Sequence, residues 1–445
     1  MKRVLVLAYF FPPLGGGGCQ RTLKLTRYLE PAGWLSTVVT TLDPDYWILD
    51  PTLLDEVPRS AEVIRVRGMT ALRALRFLSR WGLDVEKPQD ARRPRAFRAL
   101  RSLSRWMLLP DGYRGWAEAA RRAAERRLEA GDVDALWTTS SPESAHLAGL
   151  ALKRRHGLPW VADFRDPWVG RVTYRPPTAL HDRAHRAMER SVVAAADRVT
   201  VVSEAMAAMY RSRYPDLPPE RFVLLPNGFD PDDWRRADSL VDASAGKGEE
   251  DRGRFVLLHA GQLAHRPTVR TLFLAVRRVL DADPTARDQL RVRFLGGNEE
   301  LDPEEPERFG LAGIVELRPS RPHLEALVAM RRAQALVLLG HGGDADSVLY
   351  TGKIYEYLSS GRPVLGIIDR GPGADLIRAA GAGPVVDSGD AGGAARAILA
   401  WLLAWRRGSN LAVRVPADLL GTWDRAKLVV RAAKLLSEIS SPGTK

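Results

Sequence analysis

Short apolar runs alternate along the chain with stretches of helical spacing. Residues 3–8, 36–41, 62–67, 134–139, 160–164, 198–203 and 221–225 read as strands. Helical patterns lie between most of them: 18–32, closed by Gly33, then 116–130 and 179–196. The pattern restarts with a strand at 255–260, a helix at 268–282, and strands at 292–296 and 314–317. A helix at 324–333, a strand at 335–339, a helix inside 351–365, a short strand at 384–386 and a closing helix at 422–439 follow. Strands alternating with helices predict parallel sheets covered on both faces, an α/β fold. The polar, aperiodic stretch 238–253 reads as a linker. The expected organisation is therefore an N-terminal Rossmann-like domain over 1–237, with an insert at about 65–130, and a second such domain over 254–421. The tail 422–445 is expected to be helical. Two such halves predict a ligand cleft between them, at the carboxyl ends of the strands.

Composition narrows the class only a little. The chain has 445 residues, 45% hydrophobic and 27% charged, enough for two cores. The single cysteine, Cys19, rules out an internal disulfide framework and any Cys-based zinc site, and fits a reducing compartment. The start reads as a buried first strand rather than a signal peptide, and no run approaches the length of a membrane span. A cytoplasmic protein is expected. Charge adds more. The formal net charge is +12, and residues 65–129 hold 17 Lys/Arg against 7 Asp/Glu, so +10 falls in that segment. Within it, 71–81 and 96–109 place Leu, Phe and Trp on one face and Arg on the others. Such a pair of basic amphipathic helices suits an anionic membrane interface, with Trp81 and Trp106 at the headgroup level. The alternative is that these stripes pack on the domain.

The candidate chemistry clusters after strands. Gly15, Gly16, Gly17 and Gly18 follow the first strand and open the first helix, where bare N–H groups can meet an anion. No Gly-Lys-Ser/Thr follows, so this is not a Walker A loop. Asp43, two residues past the second strand, is a poor ribose acid for a dinucleotide site. Asp163, Arg165 and Asp166 end the fifth strand, and the Asn227-Gly228 turn ends the seventh. In the second half, Gly261 to Pro267 (GQLAHRP) joins strand to helix, and Arg266 there can pair with a diphosphate. Gly296 and Gly297 allow close backbone approach. Asp344 and Asp346 precede the stretch TGKIYEYLSSGRPVL, where Glu356 sits near a helix N-terminus. A carboxylate there can take ribose hydroxyls while the helix end meets phosphate.

VVSEAMAAMY, LLPNGFDPDDW, HAGQL…RPTVRTL, RFLGG and GKIYEYLSSGRPVL, in this order, resemble the GT-B glycosyltransferases of family 4. YFFPPLGGGGCQR and ADFRDPW are similar to the same group. The resemblance implies two Rossmann-like domains facing across a cleft and a C-terminal helix crossing back. It also implies a retaining, metal-independent transfer from a nucleotide-sugar donor, with no cofactor. By residue, Glu356 matches the ribose-binding second Glu of the EX7E motif. Thr351, Gly352, Lys353 and Ile354 match the turn at the diphosphate, and Arg266 the cation that neutralises it. Gly261, Gly296 and Gly297 complete the expected donor site. The glycine loop with Arg21 and Arg165 is expected at the acceptor and phosphate side. Asp163 and Asp166 lie near the place of the family's N-domain histidine, and are expected, with Arg266, Lys353 and Glu356, to be catalytic. Two departures stand out. Val348 occupies the first Glu of EX7E, so Asp344 or Asp346 is expected to meet the sugar instead. Gln262 replaces the Arg of the usual Arg-Lys pair.

These readings predict a retaining glycosyltransferase of cell-envelope polysaccharide or glycolipid synthesis. Its acceptor is lipid-linked or a small molecule, with contact to an anionic membrane surface and none to nucleic acid. Competing readings are transfer to a soluble natural-product acceptor, a GT-B sugar-nucleotide epimerase, a Rossmann dehydrogenase and a basic nucleic-acid-binding protein.

Overall fold

The computed structural model describes residues 1–43, 48–70, 106, 108–171, 174–243, 251–263, 267–296, 301–348 and 351–441, without the side chains of Asp344 and Ala345. The chain forms two compact units, Met1–Pro226 with Arg425–Lys445, and Asn227–Asp424.

The first unit holds a seven-stranded sheet in the order β3-β2-β1-β4-β5-β6-β7. The strands are β1 Lys2–Leu7, β2 Trp34–Thr41, β3 Glu62–Val66, β4 Ala135–Ser140, β5 Trp160–Phe164, β6 Arg198–Val201 and β7 Phe222–Leu224. All pair in parallel, with Leu7 opposite Val39 on one side and Thr138 on the other. The second sheet has the order β10-β9-β8-β11-β12-β13, again parallel. Its strands are β8 Phe255–Ala260, β9 Leu290–Leu295, β10 Val315–Arg318, β11 Ala335–Leu339, β12 Val364–Ile367 and β13 Val385–Val386. Each order reverses once, between β1 and β4 and between β8 and β11. That reversal opens a crevice at the carboxyl ends of the strands, where α/β folds bind ligands.

Burial explains the strand sequences. Side chains alternate across a strand, and β8 sends Phe255 and Leu257 into one core and Val256 and Leu258 into another. Helices Thr268–Ala282 and Ala391–Arg406 cover the first face; His323–Arg332, Lys353–Ser359 and Pro372–Ala379 cover the second. With both faces buried, the strand must be apolar throughout rather than alternating.

Two boundaries differ from the sequence reading. The stretch expected to begin a linker at 238 instead continues the helix Pro231–Ala243. Trp234 of that helix is buried, and Asp238 accepts from Arg331 Nε at 2.7 Å. Residues 238–243 of the polar run are thus the solvent face of a helix, and 244–250 lie outside the described residues. The closing helix begins at Arg425 rather than 422, because Trp423 is buried in the second unit's core and its carbonyl accepts from the Phe229 N–H. The helix Arg425–Ile439 itself packs on the first unit, burying Leu428, Val429, Leu435 and Leu436 with Val4, Val6 and Leu25. Its Ser437 hydroxyl accepts from the Trp34 indole at 3.1 Å.

Most of the basic segment, residues 71–105 and 107, lies outside the described residues, Trp81 included. Trp106 is half exposed, and its carbonyl stands 3.2 Å from His181 Nε2. No helix among the described residues is long and apolar enough to cross a membrane.

Candidate functional site

The second unit's crevice is built from the ends of β8 and β11. Their backbone pairing covers only Ala335 with Leu257 and Leu336 with Leu258. Beyond it, side chains take over. Tyr357 hydroxyl accepts from the Ala260 N–H at 2.7 Å and faces its carbonyl at 3.3 Å. The fully buried His259 stands 3.0 Å from the Val337 carbonyl through Nδ1. A carbonyl only accepts, so Nδ1 carries the proton and Nε2 is left as an acceptor. Lys353 Nζ donates to that Nε2 at 3.3 Å. Gly261, at φ +125°, makes room for this arrangement, since a Cβ there would fall on Lys353 Nζ. Gly296 backs Gly261 so closely that its own Cβ would stand 2.7 Å from the Gly261 carbonyl oxygen.

Lys353 opens the helix Lys353–Ser359, with Gly352 at its N-cap and no capping side chain. Ile354 points its side chain into the core, and the Asn227 side chain lies against Gly352. Glu356 sits in the first turn, 17% exposed, and accepts from His323 Nε2 at 2.9 Å. The structure thus brings Gly261, Gly296, Thr351, Gly352, Lys353, Ile354 and Glu356 to one end of one sheet. Arg266 and Gly297, and the Asp344 side chain, lie outside the described residues.

Asp346 departs from expectation. It is 1% exposed, and its carboxylate accepts from the backbone N–H groups of His341 (2.8 Å), Gly342 (3.1 Å) and Asp369 (3.2 Å). A carboxylate held that way shapes the loop after β11 and is not placed to meet sugar hydroxyls in place of the absent Glu at Val348. Asp369 performs a related task beside it. Burial acts against its charge, yet bonds from the Ser388 and Gly343 N–H groups and the Ser388 hydroxyl keep its carboxyl below the usual carboxylate range.

In the first unit, the same kind of residue is consumed by the fold. Asp163 is 1% exposed and accepts from Arg21 (2.6 and 2.9 Å), Thr139 (2.8 Å) and Thr200 (2.6 Å). Burial pushes its carboxyl up, but Arg21 and the two hydroxyls outweigh that and hold it below the usual range. Arg21 also donates to the Leu225 and Pro226 carbonyls, both at 3.0 Å. Arg165 donates to the carbonyls of Ser140, Gly18 (2.6 Å) and Ser141 (2.8 Å). Asp163, Arg21 and Arg165 therefore tie strand ends and the glycine loop together. They are not available as an acid, an acceptor clamp or a phosphate cation, which corrects the sequence reading of all three. Asp166 differs, being exposed at the end of β5. The glycine loop forms the start of the helix Gly17–Leu29, with Gly16 at φ +80° as N-cap, no capping side chain and no acid in the first turn. Such an end favours an anion. Asp43, weak as a ribose acid, pairs with Arg67 at 2.9 Å.

His259, His323 and Tyr357 were not anticipated. A histidine closing the apolar strand FVLLHA was the one available signal for the first; nothing local marks the other two.

Comparison with known proteins bears on the fold. Residues 83–233 match the model of Glycosyltransferase Family 4. No curated protein matches the chain in sequence. Among solved structures, the chain is similar to sucrose-phosphate synthase from Thermosynechococcus elongatus, with 17% identity, 99% of each chain covered and a TM-score of 0.62. It is similar to Anabaena HepE in complex with UDP, at 15% identity, covering 98% of this chain and 100% of that one, with a TM-score of 0.61. It is also similar to WaaG, a glycosyltransferase involved in lipopolysaccharide biosynthesis, at 16% identity, 98% of each chain and a TM-score of 0.56. These likenesses carry the fold, and the family match covers residues 83–233. The chain has the GT-B fold of two Rossmann-like units and resembles the glycosyltransferases of family 4.

Proposed function

We propose that this chain moves a sugar from a nucleotide-sugar donor to a lipid-linked acceptor, with retention at the anomeric carbon. The observation that carries the donor half is the pairing of Lys353 and Glu356 on one short helix at the crevice of the second sheet. In this reading Glu356 takes the ribose hydroxyls. Lys353, Arg266 and the backbone of the turn 351–354 meet the diphosphate. As the glycosidic bond breaks, charge grows on that leaving group, and preorganised cations and N–H groups stabilise it in place of a metal ion. The acceptor hydroxyl attacks from the same face, and its proton passes to the departing diphosphate oxygen, so no protein nucleophile and no cofactor are needed. The HepE complexes with UDP and with UDP-glucose make uridine nucleotides the first donors to try.

Asp166 and the loop 15–18 stand for the acceptor side in the first unit. The lipid-linked acceptor rests on the +10 segment, within which Met69 and Trp106 are exposed, and on the exposed Leu180. In this reading the protein works at the cytoplasmic face of a membrane, in envelope polysaccharide or glycolipid synthesis. Glu356→Ala and Arg266→Ala should each remove most transferase activity with the fold intact; full activity in either sinks the donor assignment. Flotation with anionic vesicles at low salt tests the membrane contact. Turnover of the nucleotide sugar with no acceptor, to an epimer, would favour the epimerase reading instead.

A further inference from the structure

We infer that His323 is a positioning residue for Glu356, fixing the carboxylate that meets the nucleotide ribose. The inference rests on the donor reading above. Three helix starts converge here: Asp233 in the first turn of Pro231–Ala243, His323 as the first residue of His323–Arg332, and Glu356 in the first turn of Lys353–Ser359. His323 Nε2 donates to Glu356 Oε1 at 2.9 Å, and its Nδ1 lies 3.8 Å from Asp233 Oδ2. The ring is 17% exposed and Asp233 only 3%, so the imidazole is held between a buried acid behind it and the working acid in front.

A glutamate without such a partner samples several rotamers and loses that freedom when a ligand arrives. Here the ordering is already present in the protein alone. The helix ends add a field that favours negative charge on both acids. The His323–Glu356 bond also joins two helices that no backbone hydrogen bond links, so the imidazole sets where the carboxylate stands relative to the turn 351–354. In this reading the effect of His323 passes through Glu356 to the ribose.

The test compares a nucleotide with its 2′,3′-dideoxy form. Calorimetry on the wild type first selects the tightest of UDP, ADP and GDP. His323→Ala should then weaken the ribonucleotide about 10-fold and leave the dideoxy form within about 2-fold of wild type. His323→Gln, whose amide can place an N–H near the lost Nε2, should retain most of the affinity. In the Glu356→Gln background, His323→Ala should add nothing further, because both changes cut the same contact. An equal loss for both nucleotides, no loss, or tighter binding by His323→Ala overturns the inference; tighter binding would mean that His323 competes for Glu356. A loss in Glu356→Gln with His323 silent overturns positioning alone. A Glu356→Gln that binds both nucleotides as the wild type does overturns the donor reading itself, as does a wild type that binds none of the three.

Discussion

Asp163 and Glu356 are both acids near the carboxyl ends of parallel strands, one in each unit, and both have a basic partner. Asp163 is sealed in, with a bidentate arginine and two hydroxyls filling its oxygens. Glu356 stands on a helix start, partly open, with one histidine at its side. The first carboxylate holds β4, β5, β6 and the helix Gly17–Leu29 together. The second is held by its surroundings at a crevice. Position at a strand end thus nominates a residue for chemistry, and only its partners and exposure decide whether it is still available.

The largest effect that would break this contrast is on stability. Asp163→Ala strands the Arg21 guanidinium, 10% exposed, inside the unit and should cost about 3–5 kcal/mol, read as a lower denaturation midpoint. A stable Asp163→Ala with lost turnover would return Asp163 to the catalytic set. Lys353→Ala should do the reverse, leaving the midpoint near wild type while transferase turnover falls about 10²–10³-fold. A smaller effect concerns His146, fully buried in the first unit, stacked on Phe164 at 4.3 Å and bonded to Thr138 at 2.7 Å. Burial drops its imidazole from 6.5 to about 4. The native state then binds fewer protons than the unfolded chain between those values. The contribution is complete above pH 6.5 and is lost as pH falls toward 4, by up to about 3 kcal/mol. His146→Gln should flatten that part of the stability profile; an unchanged slope would refute the assignment. The smallest effect is at Asp166. Exposed as it is, Asp166→Ala should change stability by no more than about 0.5 kcal/mol. Any large loss of acceptor turnover would then mark it as the first unit's working acid.

Much of this was legible in the sequence. Both sheets and their parallel pairing follow from apolar runs alternating with helical spacing, because a strand buried on both faces has few other ways to be written; the return of the last helix came from the family resemblance. The turn at Gly352–Lys353 and the acid at Glu356 were legible as a glycine-opened helix start carrying a cation and a carboxylate, which the structure places at the crevice of the second sheet. The partners were not. Arg21 meets Asp163, and His323 meets Glu356, only after the chain has folded, and nothing local in the sequence records those distances. Asp346 failed for the same reason: a short acid after a strand serves equally well as a ligand group or as an acceptor for its own loop's N–H groups. The run from 238 looked like a tether because its composition is polar, whereas Trp234, about one turn before it, anchors its start as a helix face.

The first unit is discontinuous along the chain, its core closed by Leu428, Leu435 and Leu436. During synthesis the residues up to Pro226 emerge with that apolar face uncovered, and they wait for the whole second unit before the covering helix leaves the ribosome. Assembly of the first unit is therefore timed by completion of the second, and a fragment cut at residue 226 would carry a sticky flank rather than a finished domain.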